Sequence, residues 1–201
     1  MMSIFLKLFF ILSLVFSFSL SAQETKDIPK LSRAVIIAEQ LAGKLVIQNE
    51  SGISSYKLDP EKAIDHFLFY YSAKWSPSCR KFTSQLKNFY ESAKAEITNF
   101  EIIFVSRDDS EKEMSDYMIK EKMPWPAIRF DQLDKLGFIK VAGGRGVPCI
   151  SILNSRGLIL AHSYHNKKNY IGTKEPLEEF AKLINFKWSN TDDKSEEATK
   201  E

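Results

Sequence analysis

The chain has 201 residues, 44% of them hydrophobic and 27% charged, with 28 lysines and arginines against 26 acids and two cysteines, Cys79 and Cys149. That length allows one domain with extensions, and this hydrophobic content excludes a wholly disordered chain. A net charge of +2 without a basic stripe carries no footprint for nucleic acid, and two cysteines are too few for a disulfide scaffold or a four-cysteine zinc site.

In chain order, residues 1–22 read as a signal peptide: Lys7 precedes an apolar run over 8–20, and the small residues Ser21 and Ala22 follow. About thirteen apolar residues fall short of the ~20 that span a bilayer, so cleavage is expected and no stable membrane anchor remains. The destination is then periplasmic or secreted, an oxidising compartment where thiols pair readily. Residues 23–60 read as an N-terminal extension, with a helix over 31–42, a stop at Gly43 and a hairpin turning at residues 49–52.

From 61 to 188 the pattern alternates. Residues 66–72 (HFLFYYS) form a continuous aromatic and apolar run, as in a strand buried on both faces. Pro77 opens a helix whose Phe82, Leu86, Phe89 and Ala93 share one face. Residues 101–106 are a second buried strand, and 109–122 a helix with acids in its first turn and lysines in its last, ended by Pro124 and Pro126 around Trp125. A strand over 148–153 and its antiparallel return over 158–163 follow, then an amphipathic helix over 174–186. Residues 189–201 hold no large apolar side chain and read as a disordered charged tail. This order predicts one α/β domain with a central mixed sheet flanked by helices.

The segment Trp75-Ser76-Pro77-Ser78-Cys79-Arg80 follows the first buried strand directly, and Gly146-Val147-Pro148-Cys149 enters the later hairpin. With Phe104 to Asp109 before the second helix and Met123-Pro124-Trp125-Pro126 after it, the chain resembles the thioredoxin fold, in its tryparedoxin and nucleoredoxin branch. The resemblance implies a cis Val147–Pro148 bond, a loop lying against the Cys79 helix, and protein or peptide thiols and disulfides as partners, with no cofactor. It implies a substrate groove walled by Trp75, Pro77, Trp125, Val147 and Pro148.

The family's attacking cysteine corresponds to Ser76, and its resolving cysteine to Cys79. A serine hydroxyl cannot replace a thiolate in disulfide exchange, because its pKa is far too high and an S–O linkage is not exchangeable. The resemblance therefore implies an altered Ser-x-x-Cys site with weak, monothiol or absent exchange. Thioredoxins keep a buried acid six positions before the first cysteine, where this chain has Tyr70.

The residues themselves leave several roles open. With Pro77 at the first helical position, Ser76 is an N-cap able to accept the N–H of Ser78 or Cys79. Cys79 is then either a buried structural thiol or one activated by the helix N-terminus beside Arg80 and Lys81. Cys149 is either a small core residue or the partner of Cys79 in a disulfide, as a static clasp or as a displaced catalytic redox pair. Closing about 70 residues would contribute on the order of 4 kcal/mol, provided the Cα atoms approach within about 7 Å. Two alternatives stand beside a redox protein: a non-catalytic peptide-binding module, and a peroxidase using Cys79, since Ser76-x-x-Cys79 also resembles a peroxiredoxin segment. His66, His162 and His165 show no ligand spacing, so no metal is expected. The glycines at 143, 144 and 146 read as an approach to Pro148 rather than a phosphate cradle, because a strand follows them.

Overall fold

In the computed structural model, residues 36–166 and 168–188 are described. The signal-peptide and tail readings lie outside them, as do positions 31–35 of the first expected helix. The described part of that helix is α1 (Ile37–Leu41), which buries Ile37 and Leu41. Gly43 follows at φ +71, a conformation that glycine adopts without a Cβ penalty. The chain then forms the antiparallel hairpin of β1 (Leu45–Asn49) and β2 (Gly52–Tyr56).

The central strand β3 (His66–Ser72) leads into the long helix α2 (Pro77–Lys94), and β4 (Phe100–Ser106) follows. Helix α3 (Glu111–Glu121) starts two residues later than its charge pattern suggests, because Ser110 is its cap and accepts the Glu113 N–H at 3.2 Å. Strand β5 (Ala127–Ile128) has two residues, and a 3-10 turn over Phe130–Gln132 leads to α4 (Gly137–Ala142). Strands β6 (Cys149–Asn154) and β7 (Ile159–His162) form the expected hairpin, the short strands β8 (Tyr164–His165) and β9 (Asn169–Tyr170) make a second one, and α5 (Lys174–Leu183) follows.

The sheet runs β2-β1-β5-β4-β3-β6-β7. Strand β3 pairs parallel with β4 and antiparallel with β6, and β4 pairs parallel with β5. The N-terminal hairpin is part of this sheet, since Leu45 and Val46 pair with Ile128 and Ala127 and cover the edge that two-residue β5 would leave open.

Alternation along the strands sorts the core into two layers. Leu68, Tyr70, Ile102, Phe104, Ile150 and Ile152 face α2, α3 and α5. Phe67, Phe69, Tyr71, Ile103, Val105 and Cys149 face α1 and α4. In the first layer Phe89 is fully buried, its ring 5.7 Å from Phe180, 5.7 Å from Phe186 and 5.2 Å from Trp188. It ties α2 to the C-terminal helix. Phe89→Ala is expected to cost about 3–5 kcal/mol, read as a lower urea midpoint at unchanged slope; a loss under ~1 kcal/mol would show that this cluster is not a principal contact.

Candidate functional site

Register gathers the functional segments at one end of the sheet. Ser72 at the end of β3 pairs with Ser106 at the end of β4, and Tyr71 pairs with Cys149 at the start of β6. The segments 73–76, 107–110 and 143–148 therefore meet beside the first turn of α2.

The turn before α2 is fixed through its backbone. The Lys74 N–H donates to Asp108 Oδ1 at 2.7 Å, and Arg80 Nη1 donates to the Lys74 carbonyl at 2.7 Å. Asp108 also accepts the Ser106 hydroxyl at 2.8 Å. Burial raises the Asp108 carboxyl above its ordinary range, and these hydrogen bonds pull it back in part. Held this way, Trp75 stands 61% exposed, its indole N–H directed at the Arg107 carbonyl at 3.4 Å. Trp is enriched at interfaces because its ring is apolar and its N–H polar, which makes this exposed ring a candidate contact.

Ser76 takes the extended conformation of an N-cap, and its Oγ accepts the Cys79 N–H at 3.3 Å, with Pro77 at the first helical position. Ser76 is 6% exposed and Cys79 0% exposed, whereas Pro77 and Ser78 face solvent. The capped turn thus carries a buried thiol. Beneath it the Cys79 carbonyl accepts Tyr70 Oη–H at 3.0 Å and Thr83 Oγ1–H at 2.9 Å. Ser72 and Tyr117 complete a buried ring of hydroxyls with them, at separations of 2.8 to 3.0 Å. Burial raises the phenols of Tyr70 and Tyr117, so both stay protonated at neutral pH. No group in this ring takes up a proton near Cys79 at that pH.

The Val147–Pro148 bond is cis, as the resemblance implies. Pro148 is buried and Val147 half-buried. The β8–β9 hairpin supports this loop from behind: Tyr170 donates to the Pro148 carbonyl at 2.8 Å, and the Gly146 N–H donates to Tyr164 Oη at 2.9 Å. A side chain at Gly144 would strike the Tyr164 ring, so the close approach needs glycine there.

Two expectations from the sequence need correction. Trp125 is not a groove wall; it is fully buried, with its ring 6.3 Å from Tyr70 and 5.6 Å from Tyr90. The Pro126 carbonyl accepts the Phe104 N–H at 2.9 Å, which draws this segment into the sheet. Cys149 does not bond to Cys79, and both are free, buried thiols. Strand parity explains this. Cys149 faces the layer of Tyr71, Ile139 and Ala142, whereas α2, whose first turn holds Cys79, packs on the layer of Tyr70 and Ile150. Burial pushes the Cys149 thiol up to about 11 from its ordinary 9.0, partly offset by the Gly144 backbone, Ser163 and Arg107.

Sequence reasoning left Asp108, Arg107, Tyr164 and Tyr170 without a role. The first two were visible in the Phe104 to Asp109 motif, but nothing there says that Asp108 turns inward. The two tyrosines lie in a short polar stretch with no strand period to reveal the hairpin.

A mixed sheet whose central strand feeds a capped helix, with a cis-proline loop at the same end, defines a protein of the thioredoxin fold. A family model described as thioredoxin-like matches residues 65–159. Tryparedoxin of Trypanosoma brucei brucei is 34% identical over 122 residues, which cover 59% of this chain and 79% of that protein. Human nucleoredoxin is 33% identical over 123 residues, 61% of this chain, but the match spans only 27% of that longer protein. The solved structure of tryparedoxin II from C. fasciculata complexed with glutathionylspermidine superposes with a TM-score of 0.51 at 26% identity, covering 76% of this chain and 97% of that one. The chain belongs to the thioredoxin-like family, with tryparedoxins and nucleoredoxins as relatives.

The raised Cys149 thiol carries a pH dependence. Its folded pKa of about 11 lies above the ordinary 9.0, so its contribution to stability is fully present below 9 and is lost as pH rises through 11. Between those values the unfolding free energy of the wild type, read from urea titrations, is expected to fall by about 2 kcal/mol more than that of Cys149→Ser. Parallel profiles would show that this thiol is not held protonated.

Proposed function

We propose that this protein binds extended polypeptide segments, including those bearing thiols or disulfides, between Trp75 and the cis-proline loop, and does not run a dithiol exchange cycle. The observation that carries this reading is the complete burial of Cys79 beneath the Ser76 cap. On the family resemblance, Ser76 stands where the attacking cysteine would be, and its hydroxyl does not form an exchangeable bond to sulfur. Peroxidase chemistry would need peroxide to reach a sulfur that solvent does not, and the burial of Cys79 weighs against it.

The surroundings of Trp75 and the Pro148 loop support a recognition role by contrast. Trp75 projects into solvent, and the loop at Pro148 is braced by two tyrosines. That a tryparedoxin II structure contains glutathionylspermidine supports thiol-bearing ligands for the fold. The order of basic start, apolar run and small residues over 1–22 supports export, which would place the protein among disulfide-bonded partners.

With insulin as substrate and dithiothreitol as reductant, the wild type is expected to match the uncatalysed rate. Ser76→Cys is expected to raise it by about tenfold or more, because it restores an ionisable thiol at the helix N-terminus. Wild-type turnover that disappears in Cys79→Ala would overturn the proposal.

A further inference from the structure

Two arginines stand beside the cis-proline loop without a carboxylate partner among the described residues. Arg107 is exposed, its guanidinium lying over the Tyr71 ring at 5.3 Å. It packs so closely on the loop that a Cβ added at Gly143 would lie 2.7 Å from its Nη2. Arg145, also exposed, is two residues further along the same loop. Neither takes part in the ion pairs of the described residues. The neighbouring Asp108 is turned inward onto the Lys74 N–H and the Ser106 hydroxyl, and exposed Asp109 pairs with neither arginine.

We propose that this arginine pair makes the groove selective for acidic segments, with Arg107 and Arg145 taking carboxylates of an extended peptide whose apolar side chain rests on Trp75. The inference rests on the binding reading above and names the partner's charge.

Three features support it. The Arg107 guanidinium is already ordered by Tyr71 and Gly143, so little side-chain freedom is lost when it binds. A planar guanidinium with free N–H groups matches the two oxygens of a carboxylate. The Trp75 indole N–H is directed at the Arg107 carbonyl, so the exposed ring is tied to the segment that carries the cation. With a net charge of only +2 over the whole chain, the selectivity would come from these two residues and not from bulk charge.

The test uses the full chain and three extended peptides of equal length, with one apolar core flanked by Glu, Gln or Lys, titrated by calorimetry and Trp fluorescence. At about 50 mM salt the Glu peptide is expected to bind about tenfold tighter than the Gln peptide, and the preference to shrink towards parity at about 500 mM. Arg107→Gln with Arg145→Gln should abolish the preference while keeping the affinity for the Gln peptide. Arg145→Gln alone, which leaves the Tyr71 contact untouched, should remove part of it. Equal binding of the three peptides, or a preference that survives the double variant, would overturn the charge selection and leave the binding reading standing. No binding of any peptide would overturn both.

Discussion

The site depends on the register of one central strand. Strand β3 is hydrogen-bonded on both sides, parallel to β4 and antiparallel to β6. A slip of one residue would exchange the Tyr70 and Tyr71 faces along its whole length. Because Ser72 meets Ser106 and Tyr71 meets Cys149, the Trp75 turn, the Arg107 segment and the cis-proline loop arrive at the same end. The alternation that packs the two core layers also turns Cys149 to the face away from α2. Architecture, not sequence distance, keeps these thiols apart.

That placement gives Cys79 the setting on which the proposed loss of dithiol exchange rests. The first turn of a helix exposes unpaired N–H groups and the positive end of its dipole, conditions that stabilise a thiolate. Here one of those N–H groups is satisfied by Ser76, and the sulfur is sealed from water. Below it a ring of hydroxyls gathers at the Cys79 carbonyl. Each hydroxyl carries one proton, and Tyr70 spends its own on the Cys79 carbonyl. The network orders the start of α2 without offering a base. The outer face of the same turn is open, with Trp75 in solvent and Arg107 ordered beside it.

Much of this was readable from residues alone. The apolar runs at 66–72 and 101–106 announced buried strands because they lack alternation, and Ser76-Pro77 announced a capped helix start. Cys79 and Cys149 could be placed at their elements, but the face that Cys149 takes could not be read, since it follows from its pairing with Tyr71. Trp125 between two prolines read as a surface feature, yet the Pro126 carbonyl takes a ladder bond from Phe104 and carries the indole inside. Helix α4 and the Tyr164–Tyr170 hairpin stayed hidden because each is short and is held mainly by tertiary contacts.

The most direct measurement is the labelling rate of Cys79 by a thiol reagent in a Cys149→Ala chain, followed across low urea concentrations. The sealed site predicts that Cys79 labels only when the whole domain unfolds, so the opening free energy falls with urea as steeply as global stability does. Rapid labelling with little urea dependence would show that the first turn of α2 opens locally, and would contradict the claim that Cys79 is withdrawn from chemistry.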